Sequence, residues 1–352
     1  MIDIWTYLKI CEKTIVVYGM GNGADKITDE LERRGMKVSA YFASDDFVRG
    51  QSFRSLRVMT FREIVENFED FVILIAFASS LPDVMARMYA LDADYEVYAP
   101  DVPVVGGAVF DREFYLAHAE EFSQVRKLLA DQESIDIYDA MLMYKLNGRL
   151  DFLKRGTSSY ERVLTHPMRC ERYRACADLG AYNGDSVREF IAHFPNLERI
   201  VSLEPDRRNF KKLTRFVEDN ALSFVECHNC AAFSYNGEMA FSQSGNRNAR
   251  AGEGKDTVAV RTLDSILAGR SVDYIKYDVE GSEYEAILGS AETIKRYRPD
   301  LLVSLYHRNE DMFRLPLLLQ KINPNYRFYI RRFPYVPAWD LNLYAIDEDT
   351  VG

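Results

Sequence analysis

Cysteine is scarce: five in 352 residues, an odd number without a recurrent spacing, which excludes a disulfide-built fold and predicts reduced thiols in a cytoplasmic protein. Long apolar runs are missing too. The longest, Phe71 to Ala78, is far too short to cross a bilayer. No basic stretch precedes an apolar segment at the amino end, so no secretory leader is expected. Basic residues are outnumbered, 44 Lys and Arg against 54 Asp and Glu, and the formal charge of −10 argues against a nucleic-acid backbone as partner. The basic run Arg327 to Arg332 is too short to reverse that balance. What remains is an ordinary globular composition, 47% hydrophobic and 28% charged, in a chain long enough for two domains with separate cores.

The chain is organised around Asp178-Leu179-Gly180-Ala181-Tyr182-Asn183-Gly184-Asp185-Ser186. An apolar run leads into it, and Val187, Phe190, Ile191 and Phe194 follow at helical spacing, so it reads as strand, glycine turn and helix start. Gly180 and Gly184 permit backbone angles or close approaches that a side chain would forbid. Asp185 and Ser186 stand where helix-capping residues are favoured. The next apolar run, Ile200 to Leu203, ends at Glu204-Pro205-Asp206. An acidic side chain at the end of the second strand is placed to accept hydrogen bonds from both hydroxyls of a ribose. The first loop is not G-x-G-x-x-G, and the Asp178 carboxylate would repel a pyrophosphate while suiting an ammonium group. Ribose, amino acid and no phosphate together point to S-adenosylmethionine.

A first unit, residues 1–105, alternates strands and helices. Gly19, Gly21 and Ala24 fit the spacing of a dinucleotide loop, with Asp45 or Asp46 about 20 residues on. The same glycines would equally serve only to pack a strand against a helix. The segment Asp45 to Gln51 resembles the N-terminal Rossmann-like domain of some sugar acyltransferases, which holds a nucleotide sugar. Residues 106–170 carry interrupted apolar stripes and read as a helical connector. Residues 171–352 form a second α/β unit, in which residues 236–256, rich in Gly, Asn, Ser and Arg, read as a surface loop or a lid.

A second chemical cluster lies at Tyr274 to Glu283. A strand delivers Asp278 and Glu280 to its carboxyl end, the edge where ligands sit in doubly wound sheets, and Gly281 turns the chain into a helix. Glu283 reads as structural, favourable to the dipole of that helix. Asp278 and Glu280 could also hold a divalent metal such as Mg²⁺. His307 follows another strand at the same edge and is the first candidate for a general base, with Asp278 or Glu280 second. Cys227 and Cys230, with Cys170 and Cys176, lack the paired spacing of a zinc site.

Several motifs in order carry a resemblance to a family. DLGAYNGDS at 178–186, SLEPD at 202–206, RTLDS at 261–265, IKYDVEGSEYEAILGSA at 275–291 and LVSLYH at 302–307, with Leu315-Pro316 downstream, resemble the FkbM family of methyltransferases over residues 171–347. The resemblance implies a class I Rossmann-like fold of seven strands, S-adenosylmethionine as donor, and O-methylation of a hydroxyl on a sugar, glycan or secondary metabolite. It implies that Asp178 and Gly180 face the methionine part, Glu204 the ribose, and Asp206, Asn229 and Ala231 the adenine, with Tyr182, Asn183, Gly184 and Asp185 also binding the cofactor. The acceptor is expected to be a small molecule or glycan, including a nucleotide-linked sugar. The alternatives are a protein that binds S-adenosylmethionine or a nucleotide sugar without catalysis, and an NAD-linked oxidoreductase built on the first unit.

Overall fold

The computed structural model describes residues 2–106, 108–242, 250–251 and 256–348. A seven-stranded sheet forms the larger layer, in the order Tyr326–Arg332, Leu341–Asp347, Asp300–Ser304, Tyr274–Tyr277, Ala175–Leu179, Arg199–Leu203, Val225–His228. Leu341–Asp347 runs antiparallel to both neighbours, while the other adjacent pairs are parallel. This is the class I Rossmann-like arrangement expected from the sequence. Strand order reverses between Ala175–Leu179 and Tyr274–Tyr277, which opens a crevice at their carboxyl ends. The central strands are buried along almost their whole length, as expected when helices cover both faces.

A second sheet, in the order Ser52–Phe53, Leu56–Met59, Ala40–Phe42, Thr14–Tyr18, Phe71–Ile75, Val97–Tyr98, is parallel except for its edge hairpin. Its Gly-rich turn enters the helix Asn22–Arg33. A Cβ on Gly23 would stand 2.3 Å from the Ala76 carbonyl oxygen, so that glycine is required by strand–helix packing.

The helix Gln132–Asn147 is tied to segments of both α/β units. Tyr144 Oη donates to the Ala99 carbonyl (2.7 Å) and Tyr138 Oη to the Met312 carbonyl (3.0 Å). The ammonium of Lys145 is buried against Asp101 (2.6 Å) and Asn309 (3.2 Å). One hydrophobic cluster contains Val16 and Phe42 of the six-stranded sheet together with Ile275 and Phe328 of the seven-stranded one. The two units therefore share core.

A small third sheet corrects part of the expected 236–256 loop. Gly237–Ser242 is a strand paired antiparallel with Asp256–Arg261, and Met239 packs on the cluster of Ala231, Val258 and Val260. Of the rest of that stretch, residues 243–249 and 252–255 lie outside the described residues.

Candidate active site

The crevice at the switch point holds a cavity of about 320 Å³, within the range of small-molecule sites. Its floor is the turn after Leu179. Gly180 has φ +94°, and its N–H and that of Ala181 both donate to the Leu203 carbonyl at 3.0 Å. Gly184, in the left-handed region at φ +88°, precedes the helix Asp185–His193. That glycine, rather than Asp185 or Ser186, occupies the cap position, and no side chain caps the helix. Asp185 is the first helical residue and lines the cavity with Gly180 and Tyr182.

Glu204 closes one end of the cavity and is almost fully buried. The Tyr182 N–H donates to its Oε2 and the Asp206 N–H to its Oε1, both at 2.8 Å. Burial nevertheless pushes the carboxyl up to about 8, against the pull of those two amides. Each oxygen keeps acceptor capacity for a ligand hydroxyl. Ala231 lines the same end. Asp206 and Asn229 do not line the cavity but shape it. Asp206 caps the helix Arg207–Asp219, accepting from the Arg208 N–H (2.8 Å) and the Asn209 N–H (3.0 Å). Asn229 donates its amide to the carbonyls of Glu204 (2.8 Å) and Pro205 (3.1 Å), pinning the loop. Asn183 and Gly184 lie in the turn without lining the cavity.

At the other end Asp278 and Glu280 line the wall, Glu280 with φ +52°, a costly backbone conformation for a side-chain-bearing residue. Lys276, two positions before Asp278 and on the same face of the strand, places its ammonium 3.2 Å from Asp278 and 3.8 Å from Asp178. Tyr306 Oη donates to Asp278 at 3.2 Å. Burial would raise Asp278, but Lys276 and His307 outweigh it and hold the carboxyl at about 2. Asp178, fully buried beneath the cavity with no hydrogen bond to its carboxylate, is raised to about 7 by burial, which Lys276 only partly offsets.

His307 is brought to this cluster but sealed from the cavity. Its side chain is fully buried, with Nδ1 2.8 Å from Glu283 and Nε2 3.7 Å from Asp278 and 3.6 Å from Glu280. Burial would lower it, yet Glu283, Glu280 and Asp278 raise it to about 10, which favours the protonated ring. Glu283, fully buried, also accepts from the N–H groups of Val279 (2.9 Å) and Gly281 (3.3 Å).

The remaining wall was not visible as a site in the sequence. Tyr306, Tyr335 and Trp339 form a string of rings, with centroids 6.4 Å apart for Tyr306 and Trp339 and 5.5 Å for Tyr335 and Trp339. Asp340, Glu189, Lys276 and Val104 complete it. A second cavity of about 450 Å³ meets the first at Glu189, Lys276, Asp278, Tyr306 and Asp340. The N-terminal unit supports this wall, because Ser79 and Val336 exchange backbone hydrogen bonds at 2.8 and 3.0 Å. The buried guanidinium of Arg332 donates to the carbonyls of Leu153 (3.0 Å), Tyr335 and Pro337 (3.4 Å). Only Lys276 carried a sequence signal, its period-two relation to Asp278.

A glycine-floored crevice at the switch point, a carboxylate on the second strand and an acidic cluster on the fourth define a class I transferase domain. Residues 178–334 match the family described as the methyltransferase FkbM domain. A methyltransferase FkbM from Methylobacillus flagellatus KT has a similar structure, with a TM-score of 0.73 at 21% identity over 95% of this chain and 90% of that one. Also similar are a methyltransferase from Geobacter sulfurreducens (TM-score 0.33, 15% identity, 69% of this chain and 98% of that one) and an rRNA methylase from Streptococcus thermophilus (TM-score 0.32, 11% identity, 50% and 88%). No curated protein matches the chain in sequence. No helix among the described residues is long and apolar enough to cross a membrane.

Proposed function

We propose that the protein is an S-adenosylmethionine-dependent O-methyltransferase acting on a hydroxyl of a sugar, glycan or other polar small molecule in the cytoplasm. The observation that carries this reading is the charge of the cavity. Six acidic side chains line it, from Asp185, Glu189, Glu204, Asp278, Glu280 and Asp340, against one lysine, Lys276. Such a lining attracts a sulfonium and an ammonium and repels phosphate. Glu204 would take the ribose hydroxyls, Ala231 and Pro205 would border the base, and Gly180, Tyr182 and Asp185 would follow the methionine part. Asp178 would add negative charge from below. The rings of Tyr306, Tyr335 and Trp339 beside Asp278, Glu280 and Asp340 suit a polyol with an apolar C–H face and several hydroxyls. A nucleotide-linked acceptor would have to keep its phosphates outside this wall.

In transfer, the acceptor oxygen forms a bond to the methyl carbon as the sulfur–carbon bond breaks, and the hydroxyl proton must leave. Among the expected bases the geometry favours Asp278 and Glu280 over His307, because they face the cavity. Asp278, held ionised by Lys276, orients the hydroxyl, and either carboxylate can receive the proton once the new bond makes it acidic. The test is calorimetric titration with S-adenosylmethionine, followed by transfer of a labelled methyl group to a panel of sugars and glycans. Absence of binding would end the reading. Binding with no transfer to any acceptor would leave a binding protein.

A pH dependence follows. Ribose hydroxyls donate to the ionised form of Glu204, so binding must release the proton that burial retains up to about 8. The affinity for S-adenosylmethionine should rise by about tenfold per pH unit from pH 6 and level off near 8. Calorimetry in buffers of different ionisation enthalpy should show the released proton. A flat profile would remove Glu204 from the ribose.

A further inference from the structure

We propose that the second cavity is an acceptor subsite for an uncharged aryl or alkyl group, so that the acceptor is a glycoside with an apolar body rather than a free sugar. Its role towards the acceptor rests on the methyltransferase reading above. Folded interiors hold few voids larger than a water molecule, so a space of about 450 Å³ is a site and not a packing defect. Alternate residues of three adjacent strands line it, which places it over one face of the seven-stranded sheet. Strand pairing sets Ser304 beside Asn342 at the crevice edge, and Leu302 between Lys276 and Tyr344 one step further in. Deeper still, Phe190 and Phe194 pack on the Tyr274 ring, each with centroids 5.5 Å from it. Leu164 and Met168, from the connector, complete the lining used here.

Two features select the occupant. The first is the gradient of polarity. Glu189, Lys276, Asp278 and Asp340 stand where the two cavities meet, whereas the depth is aromatic and aliphatic. A charged group pushed inwards would lose its water without gaining a partner, while an apolar one gains by leaving water. The second is continuity with the site already described. Both cavities share Asp278 and Tyr306, which the acceptor hydroxyl must meet, but Glu204 and Ala231 line the first alone. The second cavity therefore opens at the acceptor end, away from the ribose and the base. A glycoside with its reacting hydroxyl at Asp278 lays its sugar on the rings of Tyr306 and Trp339 and passes its apolar body between the sheet and the helix Asp185–His193. Tyr160 borders that passage, its hydroxyl donating to Glu189 and its ring 5.2 Å from that of Phe333.

The test uses the full chain and 4-fluorobenzyl alcohol, an uncharged aryl alcohol, followed by ¹⁹F NMR. Saturable binding is expected, with affinity falling about tenfold or more in L164W and L302F. Both leucines are only partly buried and line the second cavity but not the first, so the larger side chains fill the space and leave the affinity for S-adenosylmethionine unchanged. Circular dichroism checks that each variant folds. In the unmutated chain labelled with ¹³C-methyl methionine, the alcohol should shift the resonance of Met168, which lines only the second cavity. With S-adenosylmethionine present, the phenyl glycoside of an accepting sugar should show a KM at least about tenfold below that of its methyl glycoside, a difference that L164W erases. The proposal is overturned if the alcohol leaves Met168 unmoved, if folded L164W binds it as the unmutated chain does, or if the two glycosides share one KM. No transfer to any sugar would overturn the acceptor role together with the methyltransferase reading, while the Met168 shift still decides whether the cavity takes an apolar group. S-adenosylmethionine titrated alone tells a missing donor site from a missing subsite.

Discussion

Gly180→Ala should abolish binding of S-adenosylmethionine and destabilise the chain by about 2–4 kcal/mol. A Cβ at this position would lie 1.9 Å from the Asp278 carbonyl oxygen, a backbone atom that cannot rotate away. The residue also has φ +94°, which alanine adopts only under strain. Relief would require moving Asp278 and Glu280, the wall opposite Glu204, so stability and ligand binding should fail together. Gly21→Ala is the control. Gly21 has φ +108° but nothing within 4 Å of an added Cβ, so only the conformational cost of about 1 kcal/mol is expected, with the methyltransferase cavity untouched. Urea denaturation and calorimetry on both variants would check this. A Gly180→Ala chain that binds normally would mean that the strands around the switch point adjust more freely than their burial implies.

The contrast between these glycines shows where the sequence could be read and where it could not. The motif at 178–186 placed a strand, a turn and a helix correctly because each is a local pattern, and the order of motifs along the chain carried the sheet. The glycines at 19–24 have a similar spacing, yet Gly23 answers to the Ala76 carbonyl, a contact between residues distant in sequence. The same limit hid the aromatic wall. Tyr335, Trp339 and Asp340 sit in a segment without regular secondary structure, held by Arg332 from below and Ser79 from the other sheet. Nothing in their spacing signals a cavity. Arg331 and Arg332, part of the basic run Arg327 to Arg332, are both buried, with Arg331 paired to Asp131 at 2.6 Å. For His307 the edge of the sheet was legible in the sequence, but its surroundings were not. Three carboxylates on one loop and helix start surround the ring that the sequence offered as a candidate base.

Glu204→Ala should weaken S-adenosylmethionine by at least about a hundredfold, because two hydroxyl hydrogen bonds to a carboxylate together contribute about 3 kcal/mol or more. The effect on the free protein should run in the opposite sense with pH. Burial raises the carboxyl from 4.5 to about 8, so the folded state holds the proton more tightly than the unfolded chain does. The stabilisation that Glu204 provides is therefore complete below its ordinary value and is lost as pH climbs through about 8. The unmutated protein should lose its advantage over the alanine variant between pH 5 and 9, while its advantage in binding grows over the same interval. Glutamine would not restore function. The carboxylate accepts from two backbone N–H groups, those of Tyr182 and Asp206, and an amide can offer an oxygen to only one of them while its NH₂ opposes the other. Urea melts and calorimetric titrations of the three proteins at pH 5 and 9 would separate the two roles. If the alanine variant binds S-adenosylmethionine as the unmutated chain does at pH 9, the ribose lies elsewhere and Glu204 only ties the glycine turn to the second strand.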